Sequence, residues 1–249
     1  MHFSVPSPSR RLAVLLFAIL AVLPLAAACG GDDDDSGGEP SPTTTLDGAT
    51  PTGPQSEHGQ LIARARVPLE LAEGTSIGKA DAPIVIEAYE DFGCPHCLHF
   101  TAVIEPKLMD DYIARGKVRL VYRYLPLQQA TAAAALGAQC AAEQNRFWEY
   151  HAALFTAQAE ASNKTGPLMS VAFAPAGLVE TATTLKLDLP AFDACLQGTS
   201  AIEAVQEDLR QAQALGLRGT PSFVVNGNVL TGSPENYDDW KKYLAALLK

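Results

Sequence analysis

Two of the five cysteines in this 249-residue chain, Cys94 and Cys97, enclose only Pro95 and His96. A Cys-x-x-Cys spacing puts two thiols within disulfide reach across one helical turn, and such a pair exchanges bonds with the thiols of other proteins. His96 sits between them, and its imidazole is expected to stabilise a Cys94 thiolate by charge or hydrogen bond. Two other chemistries use the same residues. Thiolate and imidazole suit zinc or copper, so Cys94, His96 and Cys97, with His99 nearby, form a rival metal site. A closed zinc site draws on a second ligand pair, and the chain offers none. An inert structural disulfide is the third reading. It fits poorly at a helix start, where the first cysteine is activated and partly exposed.

The flanking residues predict how the dithiol is held. Ile84 to Glu90 reads as a strand, and Gly93 breaks it just before Cys94. From Leu98 onward apolar residues recur at helical spacing, which places Cys94 at a helix N-terminus. Free N–H groups and the helix dipole there favour the thiolate. The helix is expected to run from Pro95 to about Arg115, kinked or split at Pro106, and to end at Gly116. Val118–Tyr124 reads as the next strand, joined to the first by a right-handed parallel crossover. Val67–Leu71 reads as a short earlier strand. Beyond Tyr124 the period becomes helical: Thr131–Phe155, with Leu136, Cys140, Phe147, His151 and Leu154 inward, then patterns near Leu168–Leu178, Thr181–Leu185, Pro190–Leu196 and Ser200–Leu215. Ser222–Val225 resumes a sheet. Asn226-Gly227 signals a type I′ hairpin, Val229-Leu230 returns, and Glu235–Lys249 forms a last helix.

Cys94-Pro-His-Cys97 after a strand resembles the active site of DsbA-like thiol:disulfide oxidoreductases of the thioredoxin superfamily. Gly219-Thr-Pro-Ser-Phe-Val-Val-Asn-Gly227 resembles that family's Gly-Thr-Pro segment. The resemblance spans Pro68 to Lys249. It implies an α/β thioredoxin-like fold with a helical insertion, about 128–217, between the βαβ half and the cis-Pro half. It also implies that Pro221 is cis and faces the dithiol, blocks metal capture, and exposes the Thr220 backbone to an extended substrate. Relatives often carry a buried carboxylate six residues before the first cysteine as proton shuttle for the second. Ala88 stands there. Strand alternation puts Glu90 on the same face, so Glu90 is the candidate replacement, with a solvated strand-end charge as the alternative. His99 reads as a helix-surface residue.

Residues 1–28 read as a signal peptide: Arg10 and Arg11, an apolar run from Leu12 to Leu25, then three alanines. Cys29 follows them directly and resembles a bacterial lipidation site. Leu25 lies four residues before it rather than three, which leaves plain secretion as the alternative. Residues 29–64 are expected to be a lipidated N-terminus and disordered linker, rich in Asp, Gly, Pro and Thr. Its Asp32–Asp35 run lacks the turn glycine of a calcium loop. Such a tether reaches roughly 30–35 Å. Residues 65–249 form the domain. The chain carries a net charge of −10, which argues against nucleic acid as a partner. With Cys29 assigned to lipid, parity and an oxidising compartment pair Cys94 with Cys97 and Cys140 with Cys195. Two separate buried thiols are the alternative.

The reading is an extracytoplasmic oxidoreductase that donates the Cys94–Cys97 disulfide to exported proteins through a Cys94 mixed disulfide. It is tethered to the membrane surface by lipid on Cys29, monomeric, and without cofactor or metal. The resemblance implies reoxidation by a membrane quinone-linked partner. The rivals are a reductase or isomerase on the same fold, a metal-binding lipoprotein using Cys94, His96 and Cys97, and a non-catalytic peptide-docking module.

Overall fold

β-branched and aromatic residues in two seven-residue runs build the centre of the sheet. Ile84–Glu90 (β3) and Val118–Tyr124 (β4) pair in parallel, with Ala88 opposite Tyr122 and Glu90 opposite Tyr124. The structure, a computed structural model, describes residues 53–162 and 171–249. The signal segment, Cys29, the linker to residue 52 and the start of the helical pattern near Leu168 lie outside the described residues. Ala72–Glu73 (β1) and Ser76–Ile77 (β2) extend one edge, and Ser222–Val225 (β5) and Asn228–Val229 (β6) the other. The order is β1-β2-β4-β3-β5-β6, antiparallel except for the β3–β4 pair. Asn226 and Gly227 both have positive φ, 48° and 78°, as a type I′ turn between β5 and β6 requires.

The two sheet faces are packed differently. Ile84, Ile86 and Ala88 of β3 join Val118, Leu120, Tyr122 and Tyr124 of β4 in the main core. There Phe223 of β5 packs on Phe100, and both meet Trp240, with ring centroids 4.8 to 6.1 Å apart. Burying each such ring contributes about 1.5–3 kcal/mol. Tyr89 and Val224 face the other side, in a small cluster with Leu125 and Ala212. Arg123 on that side bridges Glu87 at 2.7 Å and Asp208 at 3.1 Å. Asp208 also accepts the Tyr124 N–H at 2.9 Å, which ties the helix Ser200–Ala214 to the sheet.

Among the described residues the α-helices are Glu57–Arg64 (α1), Pro95–His99 (α2), Glu105–Leu108 (α3), Gln129–Ala142 (α4), Phe147–Ser162 (α5), Pro175–Thr184 (α6), Leu189–Gln197 (α7), Ser200–Ala214 (α8) and Tyr237–Leu247 (α9). α4 to α8 fill the expected insertion between β4 and β5. Cys140 in α4 and Cys195 in α7 are joined by a disulfide, with Cα atoms 5.6 Å apart. Among the described residues no helix is long and apolar enough to cross a membrane.

Four features differ from the sequence expectation. Val67–Leu71 is not a strand: Leu69–Leu71 is a 3₁₀ turn and pairing begins at Ala72, because Pro68 has no N–H for a ladder. Residues 57–64, expected in the disordered linker, form α1. Ser56 caps it by accepting the Gly59 N–H at 3.1 Å, and the Ser56 hydroxyl donates to Glu160 of α5 at 2.7 Å. A Cβ at Gly59 would lie 2.7 Å from Ser56 Oγ and 2.8 Å from Glu160 Oε1, so only glycine permits this approach. The single pattern Thr131–Phe155 is two helices, parted at Asn145, whose φ of 56° asparagine tolerates better than most residues. The run 95–113 is continuous helix, but its turns widen over Phe100–Ile104 and Met109–Ile113 to π geometry. Glu105 N–H bonds to Phe100 O, five residues back, just before Pro106, which lacks a donor.

Candidate active site

β3 delivers the dithiol through a short turn that Asp91 organises. Its Oδ1 accepts the Gly93 N–H at 2.8 Å, an Asx turn, while its Oδ2 accepts the Leu127 N–H at 2.7 Å and lies 3.2 Å from the Thr131 hydroxyl. One buried carboxylate thus clamps the turn to the loop that starts α4. Cys94 is the N-cap of α2, with Pro95 in the first turn, where its missing N–H costs nothing.

The two thiols occupy opposite environments, and both are free. Cys94 is half-buried, and its Sγ donates to the carbonyl oxygen of Thr220 at 3.2 Å. The Thr220–Pro221 peptide is cis. The Cys97 thiol's hydrogen bond, with smaller help from Thr220 and the backbone amides of Cys97 and His96, lowers the Cys94 pKa from the ordinary thiol range to about 5. Cys97 is fully buried, and burial pushes its thiol well up. The pair therefore offers one accessible thiolate and one buried thiol that keeps its proton, which is the division of labour that thiol–disulfide exchange needs.

Pro95 and His96 are exposed in the first turn. The His96 ring is not among the groups that lower Cys94; it is the His96 backbone amide that contributes. His99 is on the helix surface, edge-on to His58 of α1 with centroids 6.0 Å apart. His96, His99, Phe100, Thr220, Pro221 and Ser233 line a groove beside Cys94. Among the described residues no three His, Cys, Asp or Glu side chains converge as metal ligands. Cys140 and Cys195 are bonded to each other in the insertion. Glu90 is not a solvated strand-end charge. It is 1 % exposed, and burial first, then Glu105 and Cys94, hold its carboxyl well above the usual range.

Three residues of this environment were not assigned a role from sequence. Asp91 had a signal, an Asx-type residue two before a glycine. Glu105 had one too, a charge at helical spacing with Leu98 and Ala102. His151 was read as inward-facing only. It sits within a shell of Phe92, Tyr122, Phe147, Trp148 and Phe155 rings, and burial lowers its pKa to about 3.

Fold and site together define a thioredoxin-fold protein with an active-site dithiol at a helix start beneath a cis-proline loop. The thioredoxin family profile matches residues 70–246, and the chain belongs to that family. It is 30% identical over 179 residues to the probable disulfide bond formation protein D of Bacillus anthracis, covering 70% of this chain and 78% of that protein. It is 32% identical over 164 residues to a Na(+)/H(+) antiporter NhaA of Salinispora tropica. That match covers 65% of this chain, and the chain spans only 23% of the antiporter's length. The crystal structure of oxidised BdbD from Bacillus subtilis shares the fold with a TM-score of 0.61 at 23% identity, over 74% of this chain and 96% of that one. Wolbachia pipientis alpha-DsbA1 does so with a TM-score of 0.59 at 22% identity, over 75% and 94%.

Proposed function

We propose that this protein is an extracytoplasmic thiol:disulfide oxidoreductase acting as an oxidase, which donates the Cys94–Cys97 disulfide to exported proteins. A substrate thiolate attacks Cys94 Sγ, a mixed disulfide forms, and the electron pair of the Cys94–Cys97 bond leaves with Cys97, which takes a proton. A second substrate thiolate attacks the substrate sulfur of the mixed disulfide. The substrate departs oxidised, and Cys94 leaves as a thiolate. The cis-Pro221 loop and the groove beside Cys94 receive an extended segment of the substrate. The role named for the Bacillus relatives, disulfide bond formation, supports this chemistry.

The observation that carries the direction is the stabilisation of the Cys94 thiolate by Cys97, Thr220 and two backbone amides. A stabilised thiolate is a good leaving group and favours the reduced enzyme, so its disulfide is oxidising. A membrane quinone-linked reoxidase, implied by the family resemblance, and a lipid anchor at Cys29, a signal peptide over residues 1–28 and a monomeric state, read from the sequence, complete the reading. The reduction potential tests it. A value near DsbA's roughly −120 mV is expected, and one near thioredoxin's roughly −270 mV makes the protein a reductase. Cys97→Ser is expected to trap mixed disulfides through Cys94, and trapping none leaves a docking or metal-binding role.

A further inference from the structure

The groove beside Cys94 carries a single charge. It encloses about 490 Å³, within the size range of ligand sites. Buried Phe100 and Phe223 line it, with half-buried Pro221 and Pro234 and the imidazoles of His96 and His99. With histidine counted neutral, Glu235 is the one charged residue among the described residues of the lining. Glu235 is held there from both sides. The Ser233 hydroxyl donates to the Pro221 carbonyl oxygen at 3.3 Å, which ties the loop before α9 to the cis-proline loop. Asn236 caps α9 by accepting the Asp239 N–H at 3.0 Å, and the Tyr237 hydroxyl donates to Asp111. Among the described residues no Lys or Arg bridges the exposed Glu235 carboxylate. The cations of this region are engaged elsewhere: Lys107 lies over the Tyr237 ring, 5.4 Å from its centroid, and Lys242 bridges Asp239 at 3.1 Å.

We infer that Glu235 is a specificity residue: the groove takes cysteine-containing segments in which Lys or Arg stands two residues from the reacting cysteine. This deepens the oxidoreductase reading and rests on it. In an extended chain, residues two apart face the same way and lie about 7 Å from each other. When the substrate thiolate reaches Cys94 Sγ, the side chain two residues away is therefore turned to the same wall. A Lys or Arg at that place lays its aliphatic stem on Pro221 and Pro234 and carries its cationic head to Glu235. An Asp or Glu there meets like charge and is disfavoured. The exchange chemistry is the same for every substrate; Glu235 changes how readily each thiolate is presented to Cys94.

Stopped-flow reduction of the disulfide form of the full chain by three thiol peptides tests this. Each peptide has a central cysteine and carries Arg, Glu or Gln two residues to either side. The Arg:Gln rate ratio is compared between protein variants, so the intrinsic reactivity of each peptide thiol cancels. Glu235→Gln is expected to lower that ratio about threefold, as for an exposed ion pair. Glu235→Lys is expected to lower it further and to raise the Glu:Gln ratio above the wild-type value. Glu203→Gln on α8 removes the same charge outside the groove lining and is expected to keep the wild-type ratio. An Arg:Gln ratio that is unchanged in Glu235→Gln, or that falls as far in Glu203→Gln, overturns the selection and leaves the oxidoreductase intact. If the disulfide form oxidises none of the peptides while the reduced form cleaves their disulfides with the same Glu235-dependent ratio, the oxidase direction is overturned and the selection stands.

Discussion

At the residue scale the site places groups where their ordinary ionisation is reversed, and stability records the cost. Glu105 has its pKa raised from 4.5 to about 8 by burial. Between those values the folded chain holds a proton that the unfolded chain has lost, so stability falls as pH rises through the window. The contribution is whole below about 4.5 and is lost towards 8. By pH 7 it amounts to a penalty on the order of 3 kcal/mol. Glu105→Gln carries no such proton and is expected to be more stable than the parent at pH 7, with little difference near pH 4.5. Urea denaturation at several pH values checks this, and a gap that does not widen with pH contradicts it. Cys94 has the opposite sign. Its lowered pKa stabilises the folded dithiol form fully above the ordinary thiol range, and that contribution is lost as pH falls through about 5. Thiolate absorbance of the reduced protein is expected to fall away with a midpoint near pH 5.

At the element scale the turn and the insertion each hang on one covalent or polar tie. Asp91→Ala strips the acceptor from the Gly93 and Leu127 N–H groups. Each buried donor left unsatisfied costs about 1–3 kcal/mol. The variant is expected to lose about 2–4 kcal/mol and to oxidise thiols more slowly, because the turn that presents Cys94 loosens; melting and exchange rates measure the two effects. The disulfide between α4 and α7 closes a sequence separation of 55 residues. For that loop the chain-entropy model gives about 4 kcal/mol. Cys140→Ala/Cys195→Ala is expected to melt lower by a corresponding amount while its Cys94 exchange rate stays near the parent's, since neither cysteine takes part in the exchange. A double variant that melts like the parent shows that the bridge adds nothing.

At the scale of the whole molecule, the acidic balance and the long polar N-terminal stretch bear on where the domain works rather than on its chemistry. The proposed anchor is one residue, Cys29; among the described residues α1 is the first helix, capped by Ser56 and clasped by Glu160. Cys29→Ser is expected to move the protein from the membrane fraction to the soluble one or to block its processing, and mass spectrometry of the mature N-terminus reads the modification directly. An unmodified mature N-terminus makes the protein a secreted one. The dithiol chemistry is expected to be unchanged by this substitution.

The sequence by itself determined the parts that rest on local spacing. The β3 and β4 runs, the helix start at Cys94 and the Asn226-Gly227 turn follow from alternation, propensity and short-range backbone sterics, which act within a few residues, while the order of motifs was legible only through the resemblance to DsbA-like proteins. Where one local rule opposed another, the sequence misled: Pro68 overrode the strand-like Val67–Leu71, and Asn145 split one alanine-rich pattern into two helices. Only tertiary structure decided that residues 57–64 fold, because α1 is held by Glu160, about a hundred residues away. Only tertiary structure decided that the Cys97 thiol, rather than the His96 ring, is the main group that holds the Cys94 thiolate. The same holds for Glu90 and Glu105. Sequence put Glu90 on the core face of its strand and Glu105 at an apolar spacing of its helix, but the ionisation of a carboxyl depends on how much water the whole fold excludes and on which charges lie within a few ångströms, and neither is a property of neighbours in the chain.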